Sequence, residues 1–446
     1  MTLAASADER PHAVWPWLLA AFAILMLGLL IGPRVPYDRQ TEFCVVNVRI
    51  AGPFGVSIIC DSPEYLRLAR EPSGLLEPTN LRQSRPGLVL LAAALVWPLS
   101  PLADLAQRLS IHASRTDIDQ SRIDNALAKD FPAYAVYVLL NVATVLLSFC
   151  VFQLISGPRG AGGANAAIFV SVCFLLAAAD PLKPFLWSPH NQMFNIFVPV
   201  FAIWASLRAS EGAMRSWRFA MVVGLVTGFG ATAYPLFIII VPCVFIAGLA
   251  AALSARPAGA LGITALNCLL LLALTILPEA LWYLFVRYET GGFYQYEMEH
   301  DRQAVWILDA WRQGPGHLVT QWLGNLWRLL REASAQMIPA AALLGILALT
   351  LLWSRGTSQV PARLHRLLFC CAMVLLVTAA FYATTGYIVW RIAFALVPPL
   401  IVAIGGAIVT IASGLPPRQR WMVACACITL TLVQSIVLVI KTGPFS

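Results

Sequence analysis

The residue types that could catalyse a reaction gather in the first long polar stretch of the chain, residues 33–86. Its most specific pattern is Asp61-Ser62-Pro63, because serine followed by proline is typical of a helix N-cap and first turn. We therefore predict a short helix that begins at Pro63 and stops at Pro72. Asp61 then precedes a helix N-terminus, whose dipole stabilises a charged carboxylate. Such a carboxylate suits an ion pair or a metal ligand, and it serves as a general base only where an apolar setting raises its pKa.

A second carboxylate and several cations complete the set that could support group transfer. Asp38, in Tyr37-Asp38-Arg39, lies in the same stretch, soon after the first apolar segment. A departing anion needs cations nearby. The candidates to bind a phosphate are Arg82, Arg85, Lys183 and Arg391. For Arg82 and Arg85, anchoring at a membrane interface is the alternative. For Arg391, which lies in an otherwise apolar segment, the alternative is a structural ion pair with Glu279 or a side chain that snorkels outward to the membrane surface.

Other polar residues could bind a sugar or an acceptor molecule. A second long polar stretch, 287–336, begins with aromatic and carboxylate side chains of the kind that stack on sugars and hydrogen-bond them, although a solvated acidic loop would look the same. The candidates are Asp180, His190, Glu279, Tyr294 and Glu297. A hydrogen-bonded turn histidine is the alternative for His190. The acidic run around residue 299 lacks the fixed spacing of a zinc motif, so we predict no metal ligands, and a divalent magnesium or manganese ion stays optional.

The elements that position these residues follow from composition. Hydrophobic residues make up 59% of the 446 positions and charged residues 12%, whereas soluble domains carry about 25% charged residues. The apolar residues form continuous stretches near the length that spans a bilayer. We predict an all-α integral membrane protein with about ten to twelve transmembrane helices and two sizeable extracytoplasmic loops. An N-terminal module, 1–210, precedes C-terminal transmembrane helices, 211–446.

Arginine placement predicts the orientation of the chain. The short loops rich in arginine, which should face the cytoplasm, are 208–218, 254–260, 354–366 and 413–420. By alternation, 33–86 and 287–336 fall on the outer face of the cell's inner (plasma) membrane, and 104–130 on the cytoplasmic face. The same alternation makes 165–190 a short or re-entrant element near the outer surface. Residues 317–333 have the spacing of an amphipathic helix lying in the interface.

Cysteine placement bears on the same question. Eight of the ten cysteines lie in apolar segments, where cysteine behaves as a small hydrophobic residue. Cys44 and Cys60 instead flank a predicted hairpin centred near Gly52-Pro53, which places them opposite each other. A disulfide there fits an oxidising compartment, and two free thiols are the alternative. The basic residues are scattered between apolar segments, so we predict no nucleic-acid partner.

The first polar stretch resembles a known family. An acidic residue, then Tyr65-Leu-x-Leu-Ala, then Arg82-x-x-Arg85 leading into an apolar segment, is similar to the GT-C superfamily of polyprenyl-phosphate-sugar-dependent membrane glycosyltransferases. The resemblance covers about residues 15–210, including Asp180-Pro181. It implies transfer of a sugar from a polyprenyl-phosphate donor to a lipid-linked or cell-envelope glycan acceptor on the extracytoplasmic face, with membrane lipids as partners. It also implies that a first-loop carboxylate is the catalytic base. The matching position is Asp61, and Asp38 is the rival, because members of the superfamily often place this acid close to the membrane.

Two other classes of protein remain open at the level of sequence. A secondary transporter or lipid flippase would show repeated halves with interrupted helices in matching positions, and no such two-fold pattern stands out. An envelope polysaccharide polymerase or ligase would rely on arginines and histidines in a late loop, and here the late loop is richer in acids.

Overall fold

The fold is a bundle of apolar helices with a few short polar elements at one end. The computed structural model describes residues 14–31, 45–51, 54–59, 61–99, 120–156, 163–178, 182–254, 259–299, 302–354 and 361–440. The helices are α1 Val14–Leu29, α2 Ser62–Arg70, α3 Pro86–Leu99, α4 Gln120–Ser156, α5 Gly163–Ala177, α6 Leu182–Leu186, α7 Phe194–Ser210, α8 Trp217–Ala233, α9 Ile240–Ser254, α10 Ala260–Thr290, α11 Tyr296–Glu299, α12 Val305–Arg312, α13 Pro315–Ser334, α14 Ile338–Trp353, α15 Ala362–Thr385, α16 Trp390–Ala393, α17 Val397–Ala412 and α18 Pro417–Ile440. Short 3₁₀ segments are Pro72–Leu76, Ala213–Arg215, Pro235–Ile239 and Phe394–Leu396.

Several of these helices are long and apolar enough to cross a membrane. Within the described residues there are six: Asp130–Ser156, Pro235–Ser254, Ala260–Thr290, Ala362–Thr385, Trp390–Ala412 and Pro417–Ile440. The bent pair α13 and α14 would make a seventh, and five shorter apolar helices of 10–17 residues accompany them. The chain is thus a helical, multi-pass membrane protein, as its composition predicts. The total of about ten to twelve spans stays a prediction.

The two polar stretches form the small elements that the local patterns predict. Strands β1 (Val45–Ala51) and β2 (Phe54–Ile59) pair antiparallel around residues 52–53, with Val45 opposite Ile59. Cys44, Cys60, Asp38 and Asp180 lie outside the described residues, so the disulfide and the roles of the two aspartates stay predictions.

The predicted amphipathic helix at 317–333 is present as α13. It buries Leu329 and exposes Leu323 and Trp327. It meets the apolar α14 at 72°. An angle of that size allows α13 to lie in a membrane interface while α14 crosses the bilayer.

The described ends of three arginine-rich loops, 208–218, 354–366 and 413–420, meet at one end of the bundle, where Leu207, Arg363 and Ser413 line the same small pocket. The Arg363 Nε atom lies 3.8 Å from Glu211 Oε1, and the Asn267 side-chain amide donates to the Met214 carbonyl at 2.8 Å. We call this the arginine end. Helix α7 leads away from it for 17 residues, about 25 Å. At the far end of α7 lie α2 and the polar elements.

The structure differs from two predictions about which end of the bundle a segment lies at. The alternation places 104–130 on the face opposite α2, yet Asp130, the last residue of that segment, pairs with Arg70 of α2 at 2.6 Å. This part of α4 therefore lies beside α2, while residues 104–119 lie outside the described residues. The alternation makes 165–190 a short or re-entrant element. Helix α5 is short, but it is not re-entrant, because it runs alongside α18: Gly163 lies against Trp421, and the Gln434 side chain donates to the Ala178 carbonyl at 3.0 Å. Its 15 residues thus run from the arginine end to the opposite one. The sequence of an apolar segment does not indicate the direction in which it crosses the bundle. Counting alternate crossings therefore assigns these two segments incorrectly.

Candidate functional site

A polar cavity lies at the end of the bundle opposite the arginine end. Its volume is about 170 Å³, and its walls come from the start of α2, the turn before α7, the second polar stretch and the start of α16. The ionisable side chains that line it include Asp61, Arg82, Arg85, His190, Glu297 and Arg391. These six belong to the set that the sequence singles out, and the fold brings them together from four separate parts of the chain.

Asp61 sits where the sequence predicts, immediately before a short helix. Helix α2 has Pro63 in its first turn and ends at Arg70, before Pro72. The Ser62 hydroxyl donates to the Pro189 carbonyl at 3.4 Å, which ties the head of α2 to the turn that carries His190. The start of α2 is therefore held against the cavity wall.

Two partners hold the Asp61 carboxylate. Its Oδ2 atom lies 2.9 Å from Arg82 Nη2 and 3.4 Å from His190 Nε2. The side chain of Asp61 keeps 35% exposure, while those of Arg82 and His190 are nearly fully buried. Asp61 is thus the member of the triplet that the cavity can reach.

The protonation states follow from burial and charge. Burial alone would raise the pKa of Asp61, but the hydrogen bond from His190 and the positive charge of Arg82 outweigh it and hold the pKa well below its usual range. Burial lowers the pKa of His190 to about 4, against the opposing influence of Asp61. At neutral pH the carboxylate is charged and the imidazole is neutral. Burial would favour Asp61 as a base by raising its pKa, but its contacts with Arg82 and His190 together have the larger effect and keep the pKa low.

Arg82 is fixed in a buried position. Its guanidinium lies 4.4 Å from the centroid of the Tyr65 ring, and its backbone N–H donates to Asn80 Oδ1 at 2.8 Å. Its Nε atom has no hydrogen-bond partner among the described residues. Arg82 therefore has hydrogen-bonding capacity that the carboxylate of Asp61 does not use.

The turn that carries His190 is held by residues that sequence reasoning missed. The Asn141 side-chain amide of α4 donates to the carbonyls of Phe185, Leu186 and Ser188 at 3.0, 3.2 and 2.9 Å. The Tyr134 hydroxyl, on the same helix, donates to the Trp187 carbonyl at 2.6 Å. A single asparagine in an apolar segment could have indicated this role, because a buried amide needs hydrogen-bond partners.

Glu297 brings the second polar stretch onto the first. Its carboxylate accepts hydrogen bonds from Arg85 at 2.9 Å and from the Ser84 hydroxyl at 2.6 Å. Gln83 joins the two stretches again, since its Oε1 accepts from the Tyr294 backbone N–H at 2.6 Å and its carbonyl from Trp282 Nε1 at 2.7 Å. Tyr294, predicted to bind sugar, contributes here through its backbone, and its side chain does not line the cavity.

Arg391 differs from the other two arginines of the cavity. Its closest polar side-chain contact is the Tyr387 hydroxyl, 3.5 Å from Nη2, and its guanidinium lies 5.9 Å from the Phe185 ring centroid. No carboxylate of the described residues lies within ion-pair distance of it, so the alternative of a structural pair with Glu279 is wrong. Arg82 and Arg85 are each neutralised by an acid, and Arg391 leaves the cavity with an excess of positive charge.

The wall beneath Arg391 is organised by Asn195, a second residue that the sequence reading missed. Its amide donates to the Arg391 carbonyl at 3.0 Å and to Gln192 Oε1 at 2.7 Å. Its Oδ1 accepts from the hydroxyls of Tyr234 and Tyr382 at 2.8 and 3.2 Å. The Asn195 side chain therefore makes two donated and two accepted hydrogen bonds, all to residues of the cavity wall or its support.

Two predicted residues lie elsewhere. Lys183 does not line the cavity: its ammonium donates to the Val439 carbonyl at 2.7 Å, in the last turn of α18, where a cation suits the helix dipole. Glu279 lines a separate groove on α10. Within the described ranges no three Asp, Glu, His or Cys side chains form a group that could hold a metal ion; His300 and Asp301 fall outside those ranges.

No protein-family model, curated protein or solved structure matches the chain. What the cavity can do is therefore argued from its own residues. It can bind an anion at Arg391, and it offers one reachable carboxylate beside that anion.

Proposed function

We propose that the protein is a membrane glycosyltransferase that moves a sugar from a polyprenyl-phosphate donor to a lipid-linked or cell-envelope glycan acceptor. One observation supports this above all: a reachable carboxylate, Asp61, and an unneutralised cation, Arg391, line the same small cavity. Transfer from a sugar phosphate needs both charges, one to take the proton of the acceptor and one to bind the phosphate.

The arginine placement supports an extracytoplasmic site. Arginines of short loops favour the cytoplasmic side, and here Arg208 and Arg363 meet around Glu211 at the end of the bundle away from the cavity. A polar cavity at one end also differs from the arrangement in secondary transporters, which bind substrates near the middle of the bilayer.

The proposed reaction uses the residues in the following way. The acceptor oxygen attacks the anomeric carbon, the carbon–oxygen bond to the phosphate breaks, and its electron pair leaves with the phosphate. Arg391 stabilises the charge that builds up on the phosphate oxygens. The proton of the acceptor hydroxyl moves to Asp61.

The ion pair of Asp61 determines the order of donor binding and proton transfer. With Arg82 at 2.9 Å the carboxylate is a poor base. A phosphate bound at Arg391 adds negative charge to the cavity that Asp61 lines, and a like charge nearby raises the pKa of Asp61 towards the range where it accepts a proton. Donor binding would therefore precede proton transfer.

The test is a transfer assay in proteoliposomes. Purified wild type receives a polyprenyl-phosphate hexose with a radiolabelled sugar and a lipid extract as the acceptor source. The measurements are label in products other than the donor, flux of free solutes, and movement of the donor lipid between leaflets. The proposal expects label to move into a new product without flux of free sugar or phosphate. Flux, or lipid movement between leaflets, without any transfer would support the transporter or flippase alternative instead.

A further inference from the structure

A second groove opens beside the polar cavity, on the outer surface of α8, α9 and α10. We call it the lateral groove; it has a volume of about 560 Å³ and is lined mainly by apolar side chains such as Ile238, Val241, Leu272 and Ile276. Glu279 projects from the spanning helix α10 into this lining. A larger groove, between α1, α5 and α18, has no ionisable residue in its lining, so nothing in it would select a headgroup.

Glu279 is an exposed carboxyl group without a partner in the described part of the chain. An ionisable side chain in a spanning helix normally faces a cavity or pairs with another group. The nearest basic side chain on the same helix is Arg287, eight residues or about 12 Å along it, and its Nη1 donates to the Tyr283 hydroxyl at 2.8 Å. Arg85, on the cavity side, is near enough to act on Glu279 electrostatically, but it pairs with Glu297 at 2.9 Å. Glu279 therefore has no ion-pair partner among the described residues and is available to a ligand in the groove.

The lateral groove and the polar cavity share a wall. The segment Tyr234–Leu236 lines the cavity, while Ile238 and Val241, a few residues on, line the groove. In the second polar stretch, Gln295 lines the groove and its neighbour Tyr296 lines the cavity. A lipid whose chain lies in the groove would thus hold its headgroup at the edge of the cavity.

The two sites have opposite charge preferences. The polar cavity sets three arginines against two carboxylates, which favours an anion. The described residues that line the groove include one carboxyl group, Glu279, and no basic side chain, so a charged phosphate there would be repelled. A hydroxyl group, in contrast, hydrogen-bonds a carboxyl group in either protonation state.

We propose that the lateral groove binds an uncharged lipid that carries hydroxyl groups, with Glu279 accepting a hydrogen bond from its headgroup. This inference rests on the proposed function, in which the lipid is the acceptor of the sugar. Its hydroxyl group then approaches Asp61 from the side of the lateral groove. Donor and acceptor lipids would be told apart by charge: the phosphate goes to Arg391 and the neutral headgroup to Glu279.

The test is photolabelling of the purified full chain in detergent. One probe is diacylglycerol with a diazirine in one acyl chain, and the other is phosphatidic acid with the same chains; labelled peptides are mapped by mass spectrometry. We expect diacylglycerol to label the segment 272–284 at least fivefold more than phosphatidic acid does. The variant Glu279→Gln should bring the two probes to within twofold of each other.

A bulky substitution provides a second test that does not depend on Glu279. Ala280→Trp fills the groove and should remove most of the diacylglycerol label, whereas Leu269→Trp, on an exposed position of the same helix outside the groove lining, should not. Equal labelling by both probes in wild type, or unchanged labelling in Ala280→Trp, would overturn the inference. Labelling needs no sugar transfer, so this failure is distinct from failure of the proposed enzyme.

Discussion

Replacing Arg391 should weaken phosphate binding far more than it weakens the fold. Two unit charges 4 Å apart interact by about 4 kcal/mol at an effective dielectric constant of 20. Arg391 is only partly buried, and solvent screening reduces this figure to about 2 kcal/mol. Arg391→Gln should therefore raise the dissociation constant of a short-chain polyprenyl phosphate about 30-fold. Since the guanidinium has no acid to leave unpaired, the melting temperature should hardly change.

The neighbouring arginine is the matched control. Arg85→Gln removes a cation of the same cavity but leaves the Glu297 carboxylate with only the Ser84 hydroxyl as a partner among the described residues, so it should lower the melting temperature as well as the affinity. Binding is measured by calorimetry in detergent at low and high salt, because screening should shrink the effect of Arg391. Equal phosphate affinity in wild type and Arg391→Gln, with both folded, would refute the reasoning.

Three further perturbations test other parts of the site. Asn141→Leu removes three hydrogen bonds to the His190 turn and should cost about 2–4 kcal/mol of stability; a melting temperature equal to wild type would show that the turn holds without it. Burial lowers the pKa of His190 to about 4, so the unfolded chain takes up a proton that the folded chain refuses, and stability should fall as pH drops from about 6.5 to about 4. Thermal unfolding at pH 7 and 5 checks this, and an equal loss in His190→Gln would contradict it. Gly386→Ala places a methyl group 2.6 Å from Trp306 at a φ of 74°; it should destabilise the start of α16 and reduce transfer, whereas Gly345→Ala, where the space is open, should be neutral in the same assays.

Local chemistry made parts of the site predictable from the sequence. The Ser62-Pro63 pair indicates where α2 begins, and the glycine-proline pair at 52–53 indicates where the hairpin turns. Helical spacing of apolar residues likewise predicts α13. In each case the determinants lie within a few residues of one another, so tertiary packing has little room to override them.

Long-range arrangement could not be predicted in the same way. An apolar segment is equally stable in either direction across a bilayer, so the hydrophobic pattern did not show that Asp130 lies beside Arg70 or that α5 crosses the bundle. Lys183 illustrates a related difficulty, because a cation that caps α18 looks the same in sequence as one that binds phosphate. Asn141 and Asn195 could have been found as isolated amides in apolar segments, although their partners could not.

The measurement that bears most directly on the proposed function is the initial rate of sugar transfer from a labelled polyprenyl-phosphate hexose by Asp61→Asn. The matched control is Asp309→Asn, whose carboxylate pairs with Arg302 at 2.9 Å and does not line the cavity. If Asp61 takes the proton of the acceptor, its removal should slow transfer by about 10²–10⁴-fold, while Asp309→Asn should stay within about twofold of wild type, as surface changes usually do. Equal transfer by wild type and a folded Asp61→Asn protein would contradict the assignment of Asp61 as the proton acceptor.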